Sequence, residues 1–93
     1  MQTEVRRNAE RSRYELFVDG QLTGHATYVI DGDQVVFPHT EIASRSRGQG
    51  LGDVLVRGAL DDVRGGGQTV VPLCWFVAEF IAQNREYQDL VTA

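Results

Sequence analysis

A chain of 93 residues with a net charge of −4 is expected to form one domain, spanning residues 1–93, with a modest hydrophobic core. The acidic balance argues against nucleic acid as the main partner, and no apolar run is long enough to cross a membrane. The single cysteine cannot form an internal disulfide, and the first residues lack the apolar segment of a signal peptide. Together these features predict a cytoplasmic location.

The residues before Tyr14 are polar and carry charges of both signs. Every basic residue of the chain is an arginine, and four arginines alternate here with Glu4 and Glu10, namely Arg6, Arg7, Arg11 and Arg13. The simplest interpretation is a solvated edge, which either pairs as an extra segment or frays. A basic arm that docks onto a partner is the alternative.

Three strands are predicted next, over Tyr14–Val18, about Leu22–Ile30 and about Gln34–Ile42. Asp19-Gly20 separates the first two, and this dipeptide between such runs is a strong hairpin signal. Asp31-Gly32-Asp33 separates the second strand from the third. The first half of the chain is therefore expected to form a three-stranded antiparallel meander.

A glycine-rich run, Arg47-Gly48-Gln49-Gly50-Leu51-Gly52, follows the third strand and precedes an amphipathic helix over Leu51–Val63. Glycine allows tight turns and close approach of a ligand to the backbone. The start of a helix also presents unpaired N–H groups and the positive end of its dipole, which suits an anion such as phosphate. A turn that needs glycine for its backbone alone is the alternative.

A short buried strand over Thr69–Val71 and a second helix from about Trp75 to Asn84 complete the predicted elements. The tail, Tyr87–Val91, forms either a short turn or an extended arm. Strands followed by helix, strand and helix predict an α+β domain. The third and fourth strands flank a helix and can lie parallel, joined by a right-handed crossover.

Two common phosphate motifs do not fit the glycine run. A P-loop needs Gly-Lys-Ser/Thr, and the chain has no lysine. A dinucleotide fingerprint beginning at Gly48 and Gly50 would require glycine where Asp53 stands, and the chain is too short for a doubly wound sheet. The pattern that remains is Arg-x-x-Gly-x-Gly, formed by Arg47, Gly50 and Gly52.

That pattern after a strand resembles the acetyl-CoA signature of the GNAT N-acetyltransferase superfamily. Three further segments resemble its small, single-domain, YjdJ-like members: His39-Thr40-Glu41-Ile42, Val70-Val71-Pro72-Leu73-Cys74 with the helix after it, and Glu86-Tyr87-x-Asp89-Leu90-Val91. The resemblance runs from about Tyr14 to the C-terminus. Trp75 departs from the family pattern at a place on the acceptor side, and Asn84-Arg85 departs from it at the end of the last helix.

The resemblance implies a minimal GNAT fold, with a three-stranded antiparallel meander followed by a helix, a parallel strand and a helix. It implies an N-acyltransferase that moves an acetyl group from acetyl-CoA to an amine acceptor of unknown identity. The loop amides would hold the CoA pyrophosphate, and the backbone of about Glu41–Ala43 would pair with the pantetheine arm. The implied CoA contacts are Ile42, Ala43, Arg47, Gly48, Gln49, Gly50, Leu51, Gly52, Asp53 and Tyr87.

Cys74 is the sharpest catalytic candidate, because it lies at the predicted start of the second helix, where the pKa of a thiol falls. Its thiolate could accept the acetyl group, or its thiol could protonate the departing CoA sulfur. A small buried hydrophobe is the alternative interpretation.

Glu41 and His39 are two residues apart and share one face of their strand, where either could remove a proton from the amine. Surface positions are the alternative for both, and His25 is interpreted as structural. Tyr87 either donates a proton to the CoA sulfur or caps the core.

Trp75 and Phe76 are expected to pack, with Trp75 as a wall of the acceptor site as the alternative. No metal site is predicted. Two other functions remain open: a non-catalytic acyl-CoA-binding or interaction module that kept the loop, and a purely structural domain. The latter would leave the glycine run and Cys74 unexplained.

Overall fold

A five-stranded sheet forms the framework of the computed structural model, which describes residues 1–91. The strands follow one another across the sheet in chain order, as β1 (Thr3–Asn8), β2 (Arg13–Val18), β3 (Gln21–Asp31), β4 (Gln34–Ile42) and β5 (Thr69–Val71). The first four pair antiparallel, and β5 pairs parallel to β4. The predicted α+β class and its parallel pair are confirmed.

The Asp19-Gly20 hairpin forms as predicted. Both residues have positive φ, 50° for Asp19 and 83° for Gly20, as the commonest two-residue hairpin turn requires. The second turn also contains two residues, Gly32 and Asp33, and Gly32 supplies a φ of 60°. These turns set the register of β2, β3 and β4.

The meander has four strands and not three, because the N-terminal segment pairs as β1. Val5 packs against the core, and the Arg6 guanidinium lies 4.7 Å from the centre of the Phe17 ring. The Arg7 Nε atom donates to the Tyr28 hydroxyl at 3.0 Å, and Arg13 pairs with Glu15 at 2.8 Å. These arginines hold the sheet edge together, which favours the solvated edge over a free docking arm.

Two helices follow, α1 (Leu51–Gly65) and α2 (Trp75–Gln83), with short 3₁₀ turns at Ser44–Ser46 and Arg85–Leu90. The tail combines both predicted forms, since Val91 after the second 3₁₀ turn makes a parallel bridge with Val70. No helix within residues 1–91 is both long and apolar enough to span a membrane.

The core lies on one face of the sheet, which we call the helix face. Strand side chains such as Leu16 and Phe37 meet Leu55 and Leu60 of α1 there, and all four are essentially buried. Alternation along the strands places Glu15, His25 and Glu41 on the opposite face. No helix of the described chain covers that face.

The sheet splits between β4 and β5. Their pairing covers three residue pairs and ends at Val36 and Val71. Pro38 lacks an N–H group, and an irregularity in the β3–β4 pairing falls at the same place, while Pro72 ends β5. The Cys74 N–H group donates to the Phe37 carbonyl at 2.8 Å, and beyond this bond β4 continues without a described neighbour on that side.

Candidate active site

A cleft of about 740 Å³ occupies the split between β4 and β5. Its walls are the second half of β4, the glycine-rich loop with the first turn of α1, and the connection from β5 into α2. The lining residues are Pro38, His39, Thr40, Glu41, Ile42, Ser46, Arg47, Gly48, Gly50, Leu51, Gly52, Asp53, Leu73, Cys74, Trp75 and Phe76. Distant parts of the sequence therefore meet at one opening.

The cleft reaches both faces of β4. Thr40 and Ile42 lie on the helix face, where they are opposite Ala26 and Gly24 of β3. His39 and Glu41 lie on the other face, opposite Thr27 and His25, as alternation along a strand requires. Residues from both faces of the strand thus line one cleft.

The glycine loop has an open backbone. Gly48 and Gly50 have φ values of 82° and 74°, and a Cβ atom on either would meet no described atom within 4 Å. Gly50 is the N-cap of α1, and no side chain of residues 1–91 caps that helix end. The first N–H groups of α1 are therefore available to an anion, and the helix dipole reinforces the attraction.

Gly52 has a different role from the other two glycines. A Cβ atom at Gly52 would lie 2.6 Å from the Phe76 Cζ atom, so α1 and α2 can pack this closely only because the side chain is absent. Sequence reasoning missed this contact between helices. The only signal for it was a glycine one position inside a predicted helix.

Arg47 places a cation beside the loop. Its Nε atom donates to the Ile42 carbonyl at 3.2 Å, which joins the loop to the end of β4. Asp53 supplies the opposite charge in the first turn of α1, where a carboxylate is favourable next to the helix dipole.

Cys74 is the N-cap of α2 and is partly exposed in the cleft. Its Sγ atom lies 3.6 Å from the Thr40 Oγ1 atom. Burial by itself raises the pKa of this thiol, but hydrogen bonds from the Val77 N–H group and the Thr40 hydroxyl favour the thiolate. The net effect is a pKa below the ordinary value.

His39, Glu41 and His25 lie together on the face of the sheet opposite Thr40. The His39 Nε2 and Glu41 Oε1 atoms are 3.3 Å apart, and both side chains are exposed. The His25 ring lies 6.1 Å from the His39 ring, and burial lowers the pKa of His25 with a further contribution from the Arg13 charge. His25 lies beside this pair because it is opposite Glu41 in the β3–β4 pairing. The sequence predicted the two strands but not the register that pairs these residues.

All the predicted site residues line this cleft except Ala43, Gln49 and Tyr87. The Ala43 N–H group donates to the Thr23 carbonyl at 2.8 Å and so continues the sheet. Thr40, Leu73 and Phe76 also line the cleft, although the sequence analysis did not name them as site residues.

Tyr87 lies in the core at 4% exposure, and its hydroxyl donates to the Asp61 Oδ1 atom at 2.7 Å. Burial and this bond raise the pKa of Tyr87. The structure favours the core-capping alternative for Tyr87 over proton donation in the cleft. The expected packing of Trp75 in the core is wrong, because this residue is 75% exposed at the cleft rim, whereas Phe76 packs against the core.

A family model described as GCN5-related N-acetyl-transferase matches residues 13–90. No curated protein sequence matches the chain. Among solved structures, a GCN5-like candidate N-acetyltransferase from Staphylococcus aureus superposes with a TM-score of 0.72 at 18% identity, covering 97% of this chain and 88% of that one.

Two larger proteins share the fold over part of their length. An IAA acetyltransferase from Bacillus cereus has a TM-score of 0.59 at 20% identity, covering 68% of this chain and 44% of that one. The N-acetylglutamate synthase from Neisseria gonorrhoeae, solved with coenzyme A and N-acetyl-glutamate, has a TM-score of 0.62 at 21% identity. That match covers 87% of this chain and 21% of the synthase.

Proposed function

Because the chain belongs to the GCN5-related N-acetyltransferase (GNAT) family, we propose that it transfers an acetyl group from acetyl-CoA to the nitrogen of an amine acceptor. Membership in this family supports acyl transfer in general. Acetyl-CoA as the donor and an amine as the acceptor are our proposal. The observation that carries it is the convergence of an open glycine loop, an unpaired strand edge and Cys74 on one cleft.

The residues present fit the pyrophosphate of CoA. Backbone N–H groups over Gly50–Asp53 begin α1 without a side-chain cap from the described chain, and the space above Gly48 and Gly50 is free of its atoms. Such a helix start binds phosphate through its N–H groups and its dipole. Arg47 adds a charge-assisted contact.

The unpaired edge of β4 fits the amide-rich pantetheine arm. Beyond the Cys74–Phe37 hydrogen bond, Thr40 and Ile42 have no described strand beside them on the cleft side, although the Arg47 Nε atom donates to the Ile42 carbonyl. An extended amide chain can pair with such an edge. An arm that runs along β4 from the glycine loop ends beside Thr40 and Cys74. The thioester would then be at the point where the cleft opens to both faces of the sheet.

Three side chains of the cleft lining would handle protons at that point. Glu41 or His39 would take a proton from the amine, directly or through water, as the nitrogen attacks the thioester carbon. The new N–C bond forms, the C–S bond breaks, and the electron pair leaves on sulfur. Cys74 would return a proton to that sulfur in direct transfer, or would accept the acetyl group first in a covalent route.

Release of free thiol from acetyl-CoA in the presence of amines tests the proposal. We expect turnover by the wild type, a fall of roughly 10²-fold or more for Cys74→Ala, and a smaller fall for Glu41→Gln, because loss of a proton-transfer group costs about that much. Glu79→Gln, on the exposed side of α2, is the matched control and should remain active. Binding of CoA without thiol release for any amine would instead support the non-catalytic acyl-CoA-binding module.

A further inference from the structure

Two large apolar side chains stand exposed on either side of Cys74. Leu73 is 68% exposed and Trp75 is 75% exposed, and both line the cleft. Large apolar side chains exposed together at one cleft are costly to leave in water, and such exposure often marks a binding site. We call Leu73 and Trp75 the apolar rim.

Leu73 is held through its backbone, and Trp75 is held through its ring. The Leu73 N–H group donates to the Val71 carbonyl at 3.1 Å, just after Pro72 ends β5. The Trp75 ring contacts the Phe76 ring edge-on, with centroids 5.9 Å apart at 78°, and Phe76 rests on Gly52. The edge-on contact with Phe76 restricts the Trp75 ring, and a restricted ring loses less entropy when a ligand binds.

The charges facing the apolar rim across the cleft are few. Of the residues that line the cleft, those with ionisable acid or base groups, other than Cys74, are His39, Glu41, Arg47 and Asp53. Arg47 is bound to the Ile42 carbonyl at the glycine-loop end, and Asp53 belongs to the first turn of α1. Glu41, with His39 beside it, is therefore the carboxylate on the strand segment next to Cys74.

The positions of these ionisable residues favour some classes of amine acceptor over others. An amino acid would bring a carboxylate to the Cys74 end, where the cleft lining offers no arginine. A polyamine or aminoglycoside would bring several cations to one carboxylate. A molecule with one ammonium group on an apolar body matches both Glu41 and the rim, and the face of Trp75 can also attract a cation.

Building on the proposed acyl transfer, we infer that the acceptor is a primary amine with one positive charge and an apolar body, of the arylalkylamine or alkylamine class. The body packs on Leu73 and Trp75, and the ammonium group faces Glu41. The ammonium loses one proton to Glu41 or water, and the neutral nitrogen forms the N–C bond with the thioester carbon. The C–S bond breaks with its electron pair on sulfur, and the second proton that the nitrogen loses protonates the CoA thiolate. Trp75 is a specificity-determining residue in this arrangement.

Steady-state kinetics with four acceptors test the assignment. With acetyl-CoA, phenethylamine and hexylamine should exceed spermidine and glutamate in kcat/KM by about tenfold or more, since burying such a body is worth at least that factor. Trp75→Ala should raise the KM for phenethylamine about tenfold and leave the KM for acetyl-CoA unchanged, and Trp75→Phe should restore most of the loss. Leu22→Ala, an exposed apolar residue outside the cleft, is the control.

Trp75 is the only tryptophan of the chain, so its fluorescence reports on amine binding without requiring turnover. Phenethylamine or hexylamine added to the CoA-bound protein should shift or quench this emission with saturation, whereas glutamate should not. Preference for spermidine or glutamate, or an unchanged KM in Trp75→Ala, would overturn the inference while acyl transfer stands. A saturable fluorescence response without any thiol release would support the amine site and overturn the proposed reaction.

Discussion

At the scale of single residues, the glycines of the loop have two different roles, one in backbone conformation and one in helix packing. Gly48 and Gly50 adopt positive φ in open space, and Gly52 leaves room for the Phe76 ring. We predict that Gly52→Ala lowers the free energy of unfolding by about 1–3 kcal/mol, because overpacking forces the two helices apart. Adding Phe76→Leu should recover part of that loss, as measured by denaturant unfolding.

Gly50→Ala is the matched comparison. Its left-handed backbone costs an L-residue about 1–2 kcal/mol, and Phe76→Leu should not relieve this cost, because no described atom crowds Gly50. Calorimetry should also show weaker CoA binding to Gly50→Ala, because the methyl group occupies the space above the helix start. If Phe76→Leu restored the free energy of unfolding equally in Gly52→Ala and Gly50→Ala, the two glycines would not have the different roles assigned here.

The thiol of Cys74 provides a prediction about pH. Its lowered pKa means that the reactive thiolate persists to lower pH than in an ordinary cysteine, so alkylation by iodoacetamide should have its midpoint below about 8.5. Thr40→Val removes a hydroxyl that favours the thiolate, and the midpoint should rise. Thr69→Val, outside the cleft, should leave it unchanged. An ordinary midpoint in the wild type would show that the helix start does not activate this thiol.

At the scale of elements, a polar clasp ties the C-terminal segment to α1. The Tyr87 hydroxyl bonds to Asp61 and accepts from the Arg57 Nη1 atom at 3.3 Å, while the Arg57 guanidinium lies over the Phe80 and Tyr87 rings. Arg64 pairs with Asp89 at 2.9 Å. The clasp holds the second 3₁₀ turn, Arg85–Leu90, against α1.

Tyr87→Phe separates a structural role from a catalytic one. Loss of two hydrogen bonds should lower the free energy of unfolding by about 1–2 kcal/mol, partly because the Asp61 carboxylate loses its partner. Turnover and CoA affinity should stay within about twofold of the wild type, since a stability change of this size leaves the protein folded. A steep fall in kcat with an unchanged free energy of unfolding would indicate that Tyr87 acts in catalysis.

Helices and strands with a strong local sequence pattern could be predicted, and those without one could not. The β2–β3 hairpin and both helices were predictable, because Asp19-Gly20 and a helical period are local features. β1 was not, since Val5 is its one apolar residue and its stability comes from pairing with β2. The split beside Pro38 depends on contacts between β4, β5 and α2, which no local pattern encodes.

The candidate site was predictable to the same extent. The motif resemblance located the glycine loop and Cys74, because these chemistries depend on residue type and spacing. The exposure of Trp75 and the position of His25 beside His39 depend on tertiary packing and strand register, which no local pattern of the sequence encodes. Tyr87 was placed in the CoA set by resemblance, whereas its hydroxyl lies with Asp61.

At the scale of the whole molecule, a ligand that binds only the folded state stabilises it by mass action. At a hundredfold excess over its Kd the gain is about 2.7 kcal/mol. For a small domain this should raise the Tm by on the order of ten degrees or more. CoA should give this shift, and NAD and ATP much less, as measured by differential scanning fluorimetry. An equal shift with all three would indicate a generic anion patch.

The central claim is that the cleft between β4 and β5 is the acyl-CoA site. Titration of the ¹⁵N-labelled protein with CoA, followed by amide chemical shifts, tests it most directly. The largest changes should fall on Gly48–Asp53 and on Thr40 and Ile42, with little change in β1 or at Tyr87. Shifts centred on β1 or on the clasp at Tyr87, or none at saturating CoA, would contradict the account.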